Sequence, residues 1–227
     1  MDHEQLIPPT PSDEDYRAEA GAQEAFAVDE DQGKVFTNDD PLELFSEWLT
    51  LAKKHEPNDA NAMSLATVDS VGMPDVRIVL LKDLDDGFIF YTNATSAKGE
   101  ELAANPLAAL CFHWKTIRRQ VRVRGLTEAV SNTENDAYFA SRSRGSQIGA
   151  WASQQSKPMS DDTILKTRVE DYESIYDGRD VPRPEFWRGY RLIPSSIEFW
   201  VNRPYRLHDR LLFQNDGDGW TQTILYP

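Results

Sequence analysis

Residues 62–83 read AMSLATVDSVGMPDVRIVLLKD. Residues 62–69, AMSLATVD, read as an extended, strand-like segment. Ser-Val-Gly-Met-Pro, residues 70–74, is a turn: glycine supplies backbone freedom, and proline cannot sit in a central strand. The apolar run Arg77–Lys82 after it reads as a second strand, so the stretch is a β-hairpin.

Outward from this hairpin, the chain keeps returning to strands. Residues 87–93, GFIFYTN, follow the turn LDDG. Residues 107–114, LAALCFHW, and 119–130, RQVRVRGLTEAV, form two long apolar stretches. Residues 195–202 (SSIEFWVN), 210–214 with Asp209, and 220–227 (WTQTILYP) close a β-rich tail. Helices intervene without a regular strand–helix alternation, which argues against a doubly wound parallel sheet. Asp40 caps a helix with Pro41 at its first position, Glu43 completing a capping box and Phe45, Trp48, Leu49 and Ala52 on its buried face. Residues 96–106 form a short helix ended by Asn105-Pro106. Thr133 caps a helix over 133–142, and Ser160 caps one that stops at Gly178. Residues 179–187, RDVPRPEFW, read as a linker. The fold class is therefore mainly β with flanking helices, an antiparallel barrel or sandwich.

The 227 residues carry a formal charge of −14, distributed unevenly. Residues 1–40 hold twelve acidic and two basic groups, and the other 187 residues are close to balance. Residues 1–39 thus read as an acidic, disordered arm, and residues 40–227 as one domain. A nucleic-acid binder would want a positive face, so that class is disfavoured. No apolar run approaches the ~20 residues of a membrane span. The N-terminus lacks a basic start and apolar h-region, so it is not a secretory signal. Cys111 is the single cysteine, which excludes an intrachain disulfide and fits a reducing cytoplasm.

No GxGxxG or Walker motif is present, and four scattered histidines lack metal-ligand spacing. What remains is a dispersed set of cations. Arg77 and Lys82 bracket an apolar strand. Lys98 lies near a helix start, where free N–H groups favour an anion. Gln120, Arg122 and Arg124 share one strand face. Tyr138 and Arg142, four apart, share a helix face, with Ser146 just beyond. In RPYRLHDR, residues 203–210, an extended backbone would align Arg206, His208 and Arg210. Arginine suits phosphate, and the apolar and aromatic neighbours suit a ring, so a small phosphorylated ring compound is the indicated ligand.

RIVLLK, FYTN, RQVRVRG, YFASRSRGSQIGAWAS-QQS, EFW and YRLHDR, in this order, resemble the pyridoxamine 5'-phosphate oxidase family from about Asp40 to Pro227. The resemblance implies an FMN-binding split β-barrel and a homodimer with FMN between subunits. It implies FMN contacts from Arg77, Ile78, Val79, Leu80, Leu81, Lys82, Tyr91, Thr92, Lys98, Gln120, Gln155, Ser156, Trp200 and Arg210. It implies that Tyr138, Arg142 and Ser146 hold the substrate phosphate, with Lys82 also near the substrate. Arg206 and His208 would be catalytic, over the substrate ring. The implied reaction moves a hydride from C4′ of pyridoxamine or pyridoxine 5'-phosphate to flavin N5. It gives pyridoxal 5'-phosphate, and oxygen then yields hydrogen peroxide; the amine also releases ammonia.

The chain departs from the family pattern at Ala97, where an arginine is common, at Ile224, where another is common, and in the acidic arm. Alternatives are a split-barrel reductase of another substrate and a non-catalytic FMN or pyridoxal phosphate carrier.

Overall fold

The computed structural model describes residues 11–26 and 35–227. Among them are six α-helices: α1 (Asp13–Phe26), α2 (Pro41–His55), α3 (Ala97–Ala104), α4 (Asn132–Ser141), α5 (Arg144–Ala152) and α6 (Thr163–Ile175). Nine strands accompany them: β1 (Ala62–Val68), β2 (Pro74–Leu80), β3 (Asp83–Leu84), β4 (Phe88–Asn93), β5 (Leu107–Trp114), β6 (Arg119–Ala129), β7 (Trp187–Val201), β8 (Asp209–Asn215) and β9 (Trp220–Ile224). The strands form one sheet in the order β2-β1-β5-β6-β7-β4-β3, with β8 joined to β7 and to β9. No described helix is long and apolar enough to cross a membrane.

The opening stretch is the expected hairpin. β1 and β2 pair antiparallel from Ala62↔Leu80 to Val68↔Pro74. The Asp69 carboxylate accepts the N–H groups of Val71 and Met73, and Gly72 takes the left-handed backbone (φ 91°) that the turn requires. The apolar run breaks after Leu80, and Asp83–Leu84 pair separately with β4.

The chain divides into two compact units. One comprises the described parts of residues 1–56 with 113–121 and 197–227. Here Asp40 caps α2, accepting from the N–H groups of Leu42 and Glu43. Glu43 does not complete a box; its carboxylate accepts from Asn38 Nδ2 at 2.7 Å instead. Leu44, Phe45, Trp48 and Ala52 are buried, with Leu44 rather than Leu49 at the centre. Trp48 meets Phe199 edge-on at 5.1 Å and carries the Arg119 guanidinium over its ring at 4.5 Å. Within the acidic arm, expected to be disordered, Asp13–Phe26 form α1. Its Glu19 pairs with Arg118 at 2.8 Å and accepts from Asn202, while Tyr16 packs on Tyr205 at 5.0 Å. Of the 1–39 arm, residues 1–10 and 27–34 lie outside the described residues.

The second unit comprises residues 57–112 and 122–196. Phe88, Phe90, Phe112, Leu65 and Leu110 are fully buried in it. β7 is longer than read from sequence: it begins at Trp187, inside the expected linker, and pairs Trp187–Leu192 with Phe88–Asn93 of β4. α4 is capped by Ser131, not Thr133, in a full capping box with Glu134. α6 begins at Thr163, so Ser160 is not its cap.

Candidate functional site

The second unit holds a cavity of about 350 Å³ lined by Tyr91, Thr92, Asn93, Arg142, Ser146, Gly149, Ala150, Ser153, Gln155 and Trp187. Five residues picked from sequence therefore meet here: Tyr91, Thr92, Arg142, Ser146 and Gln155. Thr92 Oγ1 donates to Gln155 Oε1 at 3.2 Å, tying the end of β4 to the loop after α5.

The aromatic wall follows from strand geometry. Tyr91 lies opposite Gly189 in the β4–β7 pair. A Cβ at Gly189 would sit 2.6 Å from Tyr91 Cε1, so glycine lets the Tyr91 ring lie across the neighbouring strand. There it stacks on Trp187, two residues along the same face, at 5.0 Å and 11°. Tyr138 stacks on Tyr91 at 4.1 Å. Buried Asn135, one turn earlier on α4, accepts from the Gly189 N–H at 2.6 Å and donates to the Val130 carbonyl. That pair of bonds fixes α4, and hence Tyr138, over β7.

Arg142 ends α4 as its C-cap. Its guanidinium lies over the rings of Trp187 and Phe139, at 5.0 and 5.6 Å, and its buried Nη1 has no acceptor. Burial pushes its pKa down, and the Tyr138 hydroxyl acts weakly the other way. A buried donor without an acceptor costs free energy, so this group is suited to an anion entering the cavity. Ser146 Oγ lies 2.8 Å from Ser143 Oγ at the first turn of α5.

A second cluster surrounds Lys98. The side chain is buried (8% exposed) and reaches Ser96 Oγ at 3.3 Å. Desolvation lowers its pKa, the Arg77 charge lowers it further, and Glu101 and Asp75 oppose both. Ser96 does not cap α3; its hydroxyl donates to the Asn93 carbonyl at 2.6 Å, which leaves the first N–H groups of the helix without a side-chain acceptor. Gly99 brings this turn against Ala94, whose carbonyl oxygen would lie 2.4 Å from an added Cβ. A buried cation, an arginine and an uncapped helix start together suit a phosphate. The four terminal N–H groups of Arg77 face protein acceptors: Asp75 at 2.6 Å, Glu101 at 3.0 Å, the Leu65 carbonyl at 3.2 Å, and Thr67.

The other expected residues fall elsewhere. Ile78, Val79 and Leu80 lie on β2, at the sheet edge, with Ile78 exposed; Leu81 is buried and Lys82 exposed just beyond it. Ser156 lines a neighbouring cavity of about 300 Å³ between the 153–160 loop and α6. Gln120, Trp200, Arg206, His208 and Arg210 belong to the other unit.

In that unit the extended reading of 203–210 fails. Pro204–Arg206 form a 3-10 turn, and Tyr205 and Arg206 take positive φ values of 57° and 61°. The strand starts only at Asp209, so Arg206, His208 and Arg210 do not alternate on one strand face. The charge crowding is relieved within the chain: Arg203 pairs with Asp209 at 2.6 Å, and Arg210 with Glu198 at 2.7 Å. His208 packs on Trp200 at 4.6 Å. In the second unit, sequence reasoning missed Trp187; the exposed-looking RDVPRPEFW context hid it, and the only available signal was its place beside FYTN in a strand pair.

Comparisons with known proteins show what the chain is similar to. Residues 50–176 match the family described as "Pyridoxamine 5'-phosphate oxidase", and residues 187–227 the "Pyridoxine 5'-phosphate oxidase C-terminal dimerisation region". The "Pyridoxine/pyridoxamine 5'-phosphate oxidase" of Maricaulis maris is 54% identical over 230 residues, covering 100% of both chains. That of Caulobacter vibrioides is 53% identical over 98% of this chain and 97% of its own. Among solved structures, PhzG from Burkholderia lata, in complex with tetrahydrophenazine-1-carboxylic acid, has a TM-score of 0.79 at 32% identity, over 84% of this chain and 94% of its own. An FMN binding protein from Nostoc punctiforme shares the fold, with a TM-score of 0.66 at 18% identity over 84% of this chain and 100% of its own.

Proposed function

Because the chain belongs to the pyridoxamine 5'-phosphate oxidase family, we propose that it oxidises pyridoxamine 5'-phosphate and pyridoxine 5'-phosphate to pyridoxal 5'-phosphate. Oxygen is the acceptor and leaves as hydrogen peroxide; with the amine, water hydrolyses the imine first formed and ammonia is released. The fold is the split β-barrel with flanking helices that the resemblance implied.

One observation carries the substrate reading. Arg142, half-buried without a counter-ion and with a buried Nη1 that has no acceptor, lines one cavity together with Ser146 and an aromatic wall. A phosphate ester on an aromatic ring supplies both the missing acceptor and a partner for the wall.

FMN, when bound, supplies a two-electron acceptor that oxygen can regenerate. Lys98 and the uncapped start of α3 would hold its phosphate, with the Arg77 charge beside them although its terminal N–H groups face Asp75, Glu101, Leu65 and Thr67. Gln155, steadied by Thr92, would donate to a polar edge, and Thr92 would contact the cofactor beside it. Tyr91 would border the ring, and Ile78–Lys82 would run alongside. Ser156 keeps the FMN contact that the resemblance implies. In the other unit, Gln120, Trp200 and Arg210 keep their implied cofactor role. Arg206 and His208 keep theirs toward the substrate. The match of residues 187–227 to a dimerisation region supports a homodimer.

The test is a peroxide assay on purified protein with each phosphorylated substrate, with and without added FMN. Peroxide with both, and FMN released on denaturation, is the expected result. FMN-loaded protein that releases none contradicts the oxidase reading.

A further inference from the structure

We propose that Trp187 is a positioning residue for this reaction: it holds the Arg142 guanidinium in place for the substrate's phosphate. The inference rests on the phosphate-ester reading of the cavity. No ion pair restrains Arg142 among the described residues, and its backbone leaves the helix at that point (φ −73°, ψ 151°). What faces the guanidinium is aromatic, Trp187 at 5.0 Å and Phe139 at 5.6 Å. The face of tryptophan attracts a cation more strongly than that of phenylalanine, and most strongly where water is excluded.

Trp187 is itself held rigidly. Its N–H donates to the Pro184 carbonyl at 3.0 Å, and its own carbonyl accepts from Arg183 Nη1 at 2.9 Å. It stands opposite Asn93 at the first residue of β7. Tyr91 stacks on its ring at 11°, and Phe139 meets it edge-on at 5.1 Å. Arg183 is in turn fixed by Asp136 at 2.6 Å. The tryptophan ring is therefore a fixed plate carrying a side chain that no carboxylate pins down. A carboxylate would fix the arginine equally well, but it would occupy the donors that a phosphate needs. A π face restrains the cation and leaves its N–H groups free.

The test compares dissociation constants of pyridoxal 5'-phosphate and unphosphorylated pyridoxal for the FMN-loaded protein and its variants. Trp187→Leu removes the plate; Trp187→Met fills the space with a flexible apolar chain and serves if the leucine variant does not fold. Either is expected to weaken the phosphorylated ligand roughly tenfold while pyridoxal changes little. Trp187→Tyr, which keeps a π face, is expected to retain most of the discrimination. Equal weakening of both ligands, or no change in their ratio, overturns the proposal, since general loosening of the cavity has no preference for the phosphate. Wild-type protein that binds both ligands equally would instead overturn the phosphate-ester reading from which the proposal starts.

Discussion

The backbone N–H of Arg203 donates to Nδ1 of His208 at 3.1 Å. An Nδ1 that accepts carries no proton in the neutral ring, so the proton resides on Nε2. His208 is thereby set to offer an N–H donor from Nε2, not a basic nitrogen. Its burial lowers its pKa from 6.5, and the Arg206 charge lowers it further, against Glu19 and Asp209.

His208 is thus expected to be neutral at pH 7, with a titration midpoint below 6.5. Because the folded chain binds this proton less readily than the unfolded one, the group's stabilising contribution is complete above the unfolded value. It is lost as pH falls through the folded one. Nitrogen-resolved NMR of the histidine ring gives both tautomer and midpoint, and Arg206→Ala should raise the midpoint. A protonated Nδ1 in the neutral ring would contradict this.

Lys98→Ala should weaken FMN binding by about 1.5–3 kcal/mol, or roughly ten- to a hundredfold, the worth of a hydrogen bond to a charged group. Quenching of FMN fluorescence during titration of the apoprotein reads this. Unchanged affinity would remove Lys98 from the phosphate site.

Gly125→Ala should destabilise the fold by about 1–3 kcal/mol or more. An added Cβ would lie 1.9 Å from the Ile193 carbonyl oxygen, a backbone atom that cannot rotate away. The expected readout is a lowered denaturation midpoint; a wild-type midpoint would show that β6 and β7 approach less closely than described.

Asp40→Ala should cost about 1 kcal/mol, because the carboxylate caps two N–H groups of α2 at 2.8 and 3.0 Å. Asp40→Asn should recover most of the loss in the same unfolding experiment.

Strands with clean alternation were legible in the sequence. β6 buries Arg119, Val121, Val123, Gly125 and Thr127 and exposes Arg122, Arg124 and Leu126, as period two dictates. Arg142 and Ser146 do line the cavity, but not through the shared helix face read for Tyr138 and Arg142: Arg142 has left α4, Ser146 stands on α5, and Tyr138 stacks on the cavity's Tyr91. Illegible were features set by tertiary partners. Trp187 becomes a strand residue because β4 is there to pair with it, although prolines crowd its N-terminal side. Arg206 enters the left-handed region, where a non-glycine residue is uncommon and sequence alone gives no warning. Buried Arg119 looked like one more strand cation until Trp48, far away in sequence, proved to lie beneath it.

The most direct measurement is the absorbance of the protein-bound flavin when pyridoxamine 5'-phosphate is added without oxygen. Bleaching with the phosphorylated amine, recovery on admitting air, and far slower bleaching with unphosphorylated pyridoxamine are the expected results, the preference disappearing in Arg142→Ala. A flavin that stays oxidised, or that bleaches equally fast with both amines, would contradict the account.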